Sequence, residues 1–421
     1  MSRSLINKRN SELLIYLNGL VSGKYTLRQA SESTGYSIRW LSKLKKRFIL
    51  EGADCLIHGN TNHVAWNKTP ETLKQKIVAI YADRYQGINF RYFCECLEEY
   101  EDIKINLSTL YNIMEEYGIR SPEGHRRKKP KKVHRPRFRR ENEGDLIQLD
   151  GTPYQWFDGN NNYYDLMGAI DDATGKITGL YMCENECFYG YCEVLRMTFN
   201  KYGKPREVYT DRAAIFCCTP KKKKDLTVWE QLQGVHDKKT QWQRAMEDLN
   251  IRQILAWSPQ AKGRVERMWG TVQKRLPLWF KKHGITTVEA ANKALPDFIE
   301  YFNKHFAVTP KSDQTFWLPV PSGLDDILCA QIPRLTDSNG CFSFHSYKFA
   351  IRNCSHTRCK KIMLCISELG IEAKVDGKKY PVQILDDVRE MVATTRGDDI
   401  PQVLKDIIYR YLWADQKQLS A

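Results

Sequence analysis

With 421 residues and 65 Lys and Arg against 50 Asp and Glu, the chain carries a formal net charge of +15 and has room for roughly two to four ordinary domains. Such a surplus favours polyanions, nucleic acid above all. No apolar run approaches the ~20 residues of a membrane-spanning helix, and the opening MSRSLINKRNSELL lacks the features of a secretory leader. Thirteen cysteines, an odd number that includes adjacent Cys217 and Cys218, read as reduced thiols of a cytosol-like compartment.

Residues 11–50 predict three short helices. SELLIYLNGLVSG has apolar positions at helical spacing. TLRQASESTG begins at a candidate N-cap, Thr26, and ends at Gly35. YSIRWLSKLKKRFILEG follows a tight turn. Small residues, Ala30 and Ser31, ahead of a glycine turn and a basic third helix make the pattern of a helix-turn-helix. It would present Arg39, Trp40, Lys43 and Arg47 to DNA. A small bundle with a solvated basic face is the plainer alternative. Residues 69–118 repeat the theme, with Thr69 as N-cap and Pro70 at the first helical position. Their last helix, from about Ser108 to Tyr117, is acidic at Glu115 and Glu116 and a poorer groove reader.

Residues 125–140, HRRKKPKKVHRPRFRR, hold ten Lys or Arg in sixteen positions and cannot form a core. A solvated linker or localisation signal is the bland reading. After the helical units, an extended arm tracking DNA phosphates is favoured, carried by Arg126, Arg127, Lys128, Lys129, Lys131, Lys132, Arg135, Arg137, Arg139 and Arg140.

From residue 144 strands and helices alternate. GDLIQLD is a strand ending in Asp150. NYYDLMGAIDDATGKITGLYMCEN is two strands around a turn at Asp171–Gly175. FYGYCEVLRMTFNKYG is a helix, PREVYTD a strand ending at Asp211, TQWQRAMEDLN a helix and IRQILAW a strand. SPQAKGRVERMWGTVQKRL then opens a long helix reaching about Lys282. This order gives a mixed sheet flanked by helices, whose strand ends are the usual place for chemistry. The last hundred residues alternate as β-strands with turns at Gly340, Gly370 and Asp376–Gly377, which suggests a small antiparallel barrel.

Three acids stand out: Asp150, Asp211 and Glu266. Converging in a basic protein, they would repel one another and DNA. A pair of Mg²⁺ or Mn²⁺ ions supplies a reason for them, because hard cations take carboxylate oxygens and leave positions open for phosphate and water. In the long helix, Ser258 is the expected N-cap and Pro259 the first helical residue. Val265, Met268, Val272 and Trp279 share one stripe facing the sheet, and Glu266 lies at its edge. Gly263 and Gly270 leave room for a phosphodiester, which Lys262, Arg264, Arg267 and Gln273 could grip. From the helix alone, an exposed Glu266 paired with a basic neighbour remains an open reading.

SPQAKGRVERMWGTVQKRL resembles the final-acid helix of retroviral-type integrases and insertion-sequence transposases. LIQLDGT resembles their first-acid strand and PREVYTDRAAIF their second. TQWQRAMEDLNIRQILAWSPQAKGRVER and YFNKHFAVTP are similar to a bacterial insertion-sequence group, ISNCY-like, with tandem helix-turn-helix units ahead of the core. The resemblance covers most of residues 20–350. It implies an RNase H-like core whose Asp-Asp-Glu triad falls on Asp150, Asp211 and Glu266, with two Mg²⁺ (or Mn²⁺) ions per site. Asp171 and Asp172 lie in a turn and stay outside the triad. The 54 residues between Asp211 and Glu266 exceed the retroviral spacing, and the surplus lies around Lys221–Lys224.

The expected architecture is multidomain α+β. A helix-turn-helix domain (1–60) and a second helical domain (61–120) are followed by a basic arm (121–143). Then come an RNase H-like mixed α/β core (144–318), a small β-barrel (319–397) and a terminal tail or helix (398–421). The expected activity is transposition: binding the terminal inverted repeats of a mobile element, cutting 3′ strands and joining them to target DNA. Double-stranded DNA and a homodimer or higher assembly are the expected partners, without a membrane, in a bacterial cytoplasm near the nucleoid. A nuclease without strand transfer and a regulator with a retired core are the rivals. Zinc at Cys55, His58 and His63, or at Cys354, His356, Cys359 and Cys365, is disfavoured by the spacing.

Overall fold

The computed structural model describes residues 8–57, 68–122, 138–159, 161–218, 239–256, 263–345, 347–385 and 402–413. The chain divides into two compact units, residues 1–122 and 123–421.

In the first unit, α1 (Lys8–Val21), α2 (Leu27–Thr34) and α3 (Ile38–Glu51) bury Leu13, Leu17, Leu20, Ala30, Leu41 and Leu44 together. Thr26 caps α2 in a reciprocal box with Gln29, and Gly35, at φ +73°, ends it. Ser37 then caps α3, so sequence-local chemistry fixes a three-residue turn between the helices. Next come α4 (Glu71–Arg84), α5 (Phe90–Tyr100) and α6 (Leu107–Glu116). The cap of α4 is Pro70, not Thr69. Pro70 is extended (φ −58°, ψ 142°) and its carbonyl accepts from Lys74 N, which defines the cap position. Lys74 bridges Glu71 and Glu116 at 3.2 and 2.7 Å, so one of the two acids of α6 serves packing between helices.

The second unit is built on a five-stranded sheet ordered β3-β2-β1-β4-β5, from β1 (Leu146–Tyr154), β2 (Tyr164–Asp171), β3 (Ile177–Cys183), β4 (Glu207–Thr210) and β5 (Arg252–Leu255). β1, β2 and β3 pair antiparallel, whereas β1, β4 and β5 are parallel. Helices α7 (Phe188–Lys201) and α8 (Gln241–Asp248) pack with one face. On the other lie α9 (Gly263–Lys282) and α10 (Val288–Phe306). The expected stripe of α9 is buried: Val265, Met268, Val272 and Trp279 are at most 6% exposed. Ser258, Pro259 and Lys262 lie outside the described residues, as do Lys221–Lys224 and Arg126–Arg137 of the arm.

A strap closes the sheet at its base. Phe316 N donates to Glu143 O, and Lys204 and Leu318 exchange backbone hydrogen bonds. Trp317 stacks on Tyr202, with ring centres 5.5 Å apart. The strap fits because Gly144 and Gly203 have no side chain. A Cβ on Gly144 would stand 2.7 Å from Trp317, and one on Gly203 2.9 Å from Leu318 O, and both have positive φ.

Beyond the strap, six strands form a nearly closed, barrel-like antiparallel sheet ordered β6-β9-β10-β11-β8-β7. They are β6 (Ala330–Leu335), β7 (Cys341–Phe344), β8 (Tyr347–Ile351), β9 (Lys361–Ser367), β10 (Gly370–Val375) and β11 (Lys378–Leu385). GCFSFHSYKFAI forms the hairpin of β7 and β8, turning at His345 with φ +48°. β6 escapes the sequence pattern because Pro333 interrupts it. A last helix, α11 (Gln402–Leu412), buries Leu404, Ile407, Ile408 and Leu412 in the same cluster as these strands and α7.

Candidate active site

β1 and β4 are paired in register from Leu146–Glu207 to Gln148–Tyr209. β4 then ends at Thr210, while β1 runs on to Tyr154 against β2. Asp150 therefore lies inside β1, not at its end as the sequence suggested, because pairing with β2 outlasts pairing with β4. Two residues past the last ladder pair, Asp150 and Asp211 occupy matching positions where the parallel strands part. Asp211 Oδ1 accepts from Ala213 N at 2.8 Å, a local turn that fixes its carboxylate.

Helix α9 docks along β1. Val265 N donates to Gln148 Oε1 (3.3 Å), Trp269 Nε1 to Asp150 Oδ2 (3.2 Å) and Gln273 Nε2 to Thr152 Oγ1 (2.9 Å). Two strand residues advance about 6.6 Å and four helix residues about 6 Å, so the contacts keep step. Gly168, directly across from Asp150, makes room: a Cβ there would meet the Trp269 ring at 2.9 Å. Glu266 sits on the docked first turn, roughly 20° around the helix from Gln273, and its side chain is exposed. Among the described residues, no group of three or more His, Cys, Asp or Glu gathers closely enough to hold a metal ion. The chain thus brings Asp150 and Asp211 together and leaves Glu266 on the neighbouring helix surface.

Glu186, in the loop between β3 and α7, is an acid the sequence reading missed. Its carboxylate accepts a hydrogen bond from the Tyr191 hydroxyl at 2.5 Å. Burial pushes the Glu186 pKa up. The Tyr191 bond offsets part of this, and the charges of Asp211, Asp165 and Asp150 push it further. The same field acts on Tyr191, raised first by burial and then by Glu186, Asp150 and Asp211. One signal was available. The loop after β3 opens at the same sheet end as Asp150 and Asp211, because β3 runs antiparallel to β2 and so alongside β1.

Asp171 and Asp172 are both fully buried. Asp171 accepts from Gly144 N, Thr174 N and Thr174 Oγ1, yet burial still moves its pKa upward. Asp172 binds Arg140 N, Gln148 Nε2 and Arg264 Nη1. Of the basic residues expected at DNA, Arg264 is therefore committed to Asp172 at 2.7 Å. Arg140 pairs with Asp145 and Glu207. Both guanidiniums fasten elements together. Arg267 is exposed, with its Nε on Gly263 O. In the first unit Arg39, Trp40, Lys43 and Arg47 are all exposed on α3. Trp40 stacks on Tyr36 at 4.2 Å, and Arg47 pairs with Glu51.

No family model matches the chain. It is 30% identical over 356 residues to "Putative transposase y4bF" of Sinorhizobium fredii, covering 84% of this chain and 75% of that protein. It is also 30% identical over 363 residues to the transposase for insertion sequence IS1202 of Streptococcus pneumoniae, covering 79% and 76%. Among solved structures, the simian T-cell lymphotropic virus intasome in complex with PP2A regulatory subunit B56 gamma matches 72% of this chain and 95% of that one, with 15% identity and a TM-score of 0.33. The HTLV-2 integrase catalytic core domain in complex with magnesium (dimeric form) matches 37% and 84%, with 18% identity and a TM-score of 0.26. Likenesses that distant carry no argument about the site.

Proposed function

The chain belongs to the transposases, and from there we propose that it binds the terminal inverted repeats of a mobile element, cuts the 3′ strands by metal-assisted hydrolysis and joins them to target DNA by direct transesterification. The observation that carries this reading is the placement of Asp150 and Asp211 at matching positions of parting parallel strands, with α9, bearing Glu266, docked on the same strand. The strand order, three antiparallel then two parallel additions, supports an RNase H-like core.

The donor set fits a hard divalent cation, since Asp150, Asp211 and Glu266 offer carboxylate oxygens only. Asp150, Asp211 and Glu266 would hold Mg²⁺ or Mn²⁺, two ions per site. Bound there, the ions would activate an attacking oxygen and stabilise a leaving one. The chain's own part is positional. Trp269 orients Asp150, Ala213 N orients Asp211, and Gln148 and Gln273 keep α9 in step with β1.

In the first step a water oxygen bonds to phosphorus and the element's 3′ oxygen departs with a proton. In the second that 3′-hydroxyl gives up its proton and attacks a target phosphorus, and the target's 3′ oxygen leaves and takes up a proton. Neither step needs a covalent protein intermediate. Helices α2 and α3 would read the element ends through Arg39, Trp40, Lys43 and Arg47, and the arm would track phosphates. Two ends must be paired, which calls for a dimer or larger assembly on DNA, in the bacterial cytoplasm.

The test uses duplexes taken from the ends of the DNA element that encodes the chain. Asp150→Asn, Asp211→Asn and Glu266→Gln each lose cutting and joining by on the order of a thousandfold, about 4 kcal/mol of barrier, while end binding is kept. Wild-type joining by any of the three would overturn the assignment of that acid. Cutting without joining of a pre-cut end would leave a nuclease.

A further inference from the structure

Glu186 stands outside the triad but within its field. Its carboxylate is packed against the backbone next to Asp150: a Cβ on Gly151 would meet Tyr191 Oη at 3.1 Å and Glu186 Oε1 at 3.2 Å. Tyr191 is fully buried beside Phe216 and Trp242, with ring centres 4.7 and 5.9 Å away. Phenylalanine would fill that space equally well, so the hydroxyl is explained by its bond to Glu186. Glu186 N in turn donates to Asp165 Oδ2 at 2.9 Å, which fixes the loop from the β2 side. Among the described residues no Lys, Arg or His forms an ion pair with Glu186. A largely buried carboxylate with three aspartates for neighbours and no described cation is costly to keep.

We propose that Glu186, held by Tyr191 against Gly151, is a positioning residue of the catalytic centre that fixes the strand bearing Asp150 and strengthens divalent-cation binding between Asp150 and Asp211. The proposal rests on the function given above. Glu186 adds negative charge behind the two aspartates without needing to touch the cation, and the Tyr191 bond stops it swinging away. Placement just before α7 also suits a helix N-terminus, but that role alone would leave cation affinity untouched.

The experiment compares full-length Glu186→Gln, Tyr191→Phe and Glu186→Asp with the wild type, and Asp150→Asn as reference. Binding of MgCl₂ and MnCl₂ is followed by calorimetry without DNA, and joining of pre-cut element ends is followed across a Mg²⁺ titration. Glu186→Gln keeps the size and the acceptor for Tyr191 but loses the charge. It is expected to weaken cation binding about tenfold, ~1.4 kcal/mol, and to raise the half-saturating Mg²⁺ equally, with joining near wild type in saturating Mn²⁺. Tyr191→Phe shifts both in the same direction by less. Glu186→Asp, charged but too short for Tyr191, keeps cation affinity within about threefold and loses rate. Unchanged cation affinity and Mg²⁺ requirement in Glu186→Gln, with or without a lower melting point, would overturn the proposal. Should Glu186→Gln fail to fold, Tyr191→Phe with wild-type Mg²⁺ dependence overturns it instead. Failure of the functional reading shows separately, as Asp150→Asn with undiminished cation binding and joining.

Discussion

Trp269 ties two of the three acids to one side chain. Three residues after Glu266, its indole donates to Asp150, so the turn carrying one acid orients another. Trp269→Phe keeps most of the ring volume and removes the donor. Joining should fall about tenfold while stability drops by only about 1 kcal/mol, measured as single-turnover rate and thermal midpoint. Wild-type rate in Trp269→Phe would reduce the indole to packing. The two strands and the helix that carry Asp150, Asp211 and Glu266 were legible because each is a local run with its own pattern: LIQLDGT, PREVYTD and GRVERMW. Glu186 and Trp269 were not. Their roles depend on side-chain-free positions at Gly151 and Gly168, and on strand register, which no local run records. Arg264 and Arg140 were read as DNA contacts for the same reason. Sequence counts their charges but does not reveal Asp172, Asp145 and Glu207 waiting for them.

At the level of elements, α10 seals the edge of the sheet. Asn292 exchanges two hydrogen bonds with the backbone of Met182, and Asn303 two with Ile177. Eleven helix residues and five strand residues both span about 16.5 Å, so the two amides reach two sites. Five is odd, however, and backbone groups of a regular strand alternate sides. The register shift between Ala169 and Ile170 resolves this: Ala169 pairs with Gly179 and Ile170 with Ile177. Thr178 is thus the extra residue of a bulge that turns Ile177 outward. Asn292→Ala with Asn303→Ala should destabilise the protein by about 2–4 kcal/mol and expose an edge that invites self-association. Denaturant melts and light scattering would read this, and a monodisperse double variant of native stability would refute it. The two strands of this edge were legible from their alternation around the turn at Asp171–Gly175, whereas helix α10 was not read from the sequence. Nor was the bulge, since it depends on what β2 and α10 offer in three dimensions.

For the whole molecule, the excess of +15 predicts DNA binding that weakens steeply with salt. Replacing Arg126, Arg127, Lys128 and Lys129 with Gln should lower the slope of log affinity against log salt by up to about 0.9 per lost phosphate contact. Titrations between ~50 and ~200 mM salt would show it, and an unchanged slope would remove the arm from the DNA interface. The passage from helices to alternating strands and helices was readable because the hydrophobic periodicity changes sharply between residues 11–118 and 144–282. The six-stranded barrel-like sheet was only partly readable, since Pro333 disguises β6 and His345 hides a hairpin.

The strap through Trp317 gives the lobe built on the five-stranded sheet a property of its own. Polypeptide enters at Glu143–Gly144 and departs at Phe316–Leu318, side by side and cross-linked by main-chain bonds. Tension applied through either flank would therefore meet at one seam and bypass the strands that bear the acids. A lobe whose ends are fastened together in this way behaves like a bead on a closed loop, which neighbours can pull on, replace or lengthen without opening it.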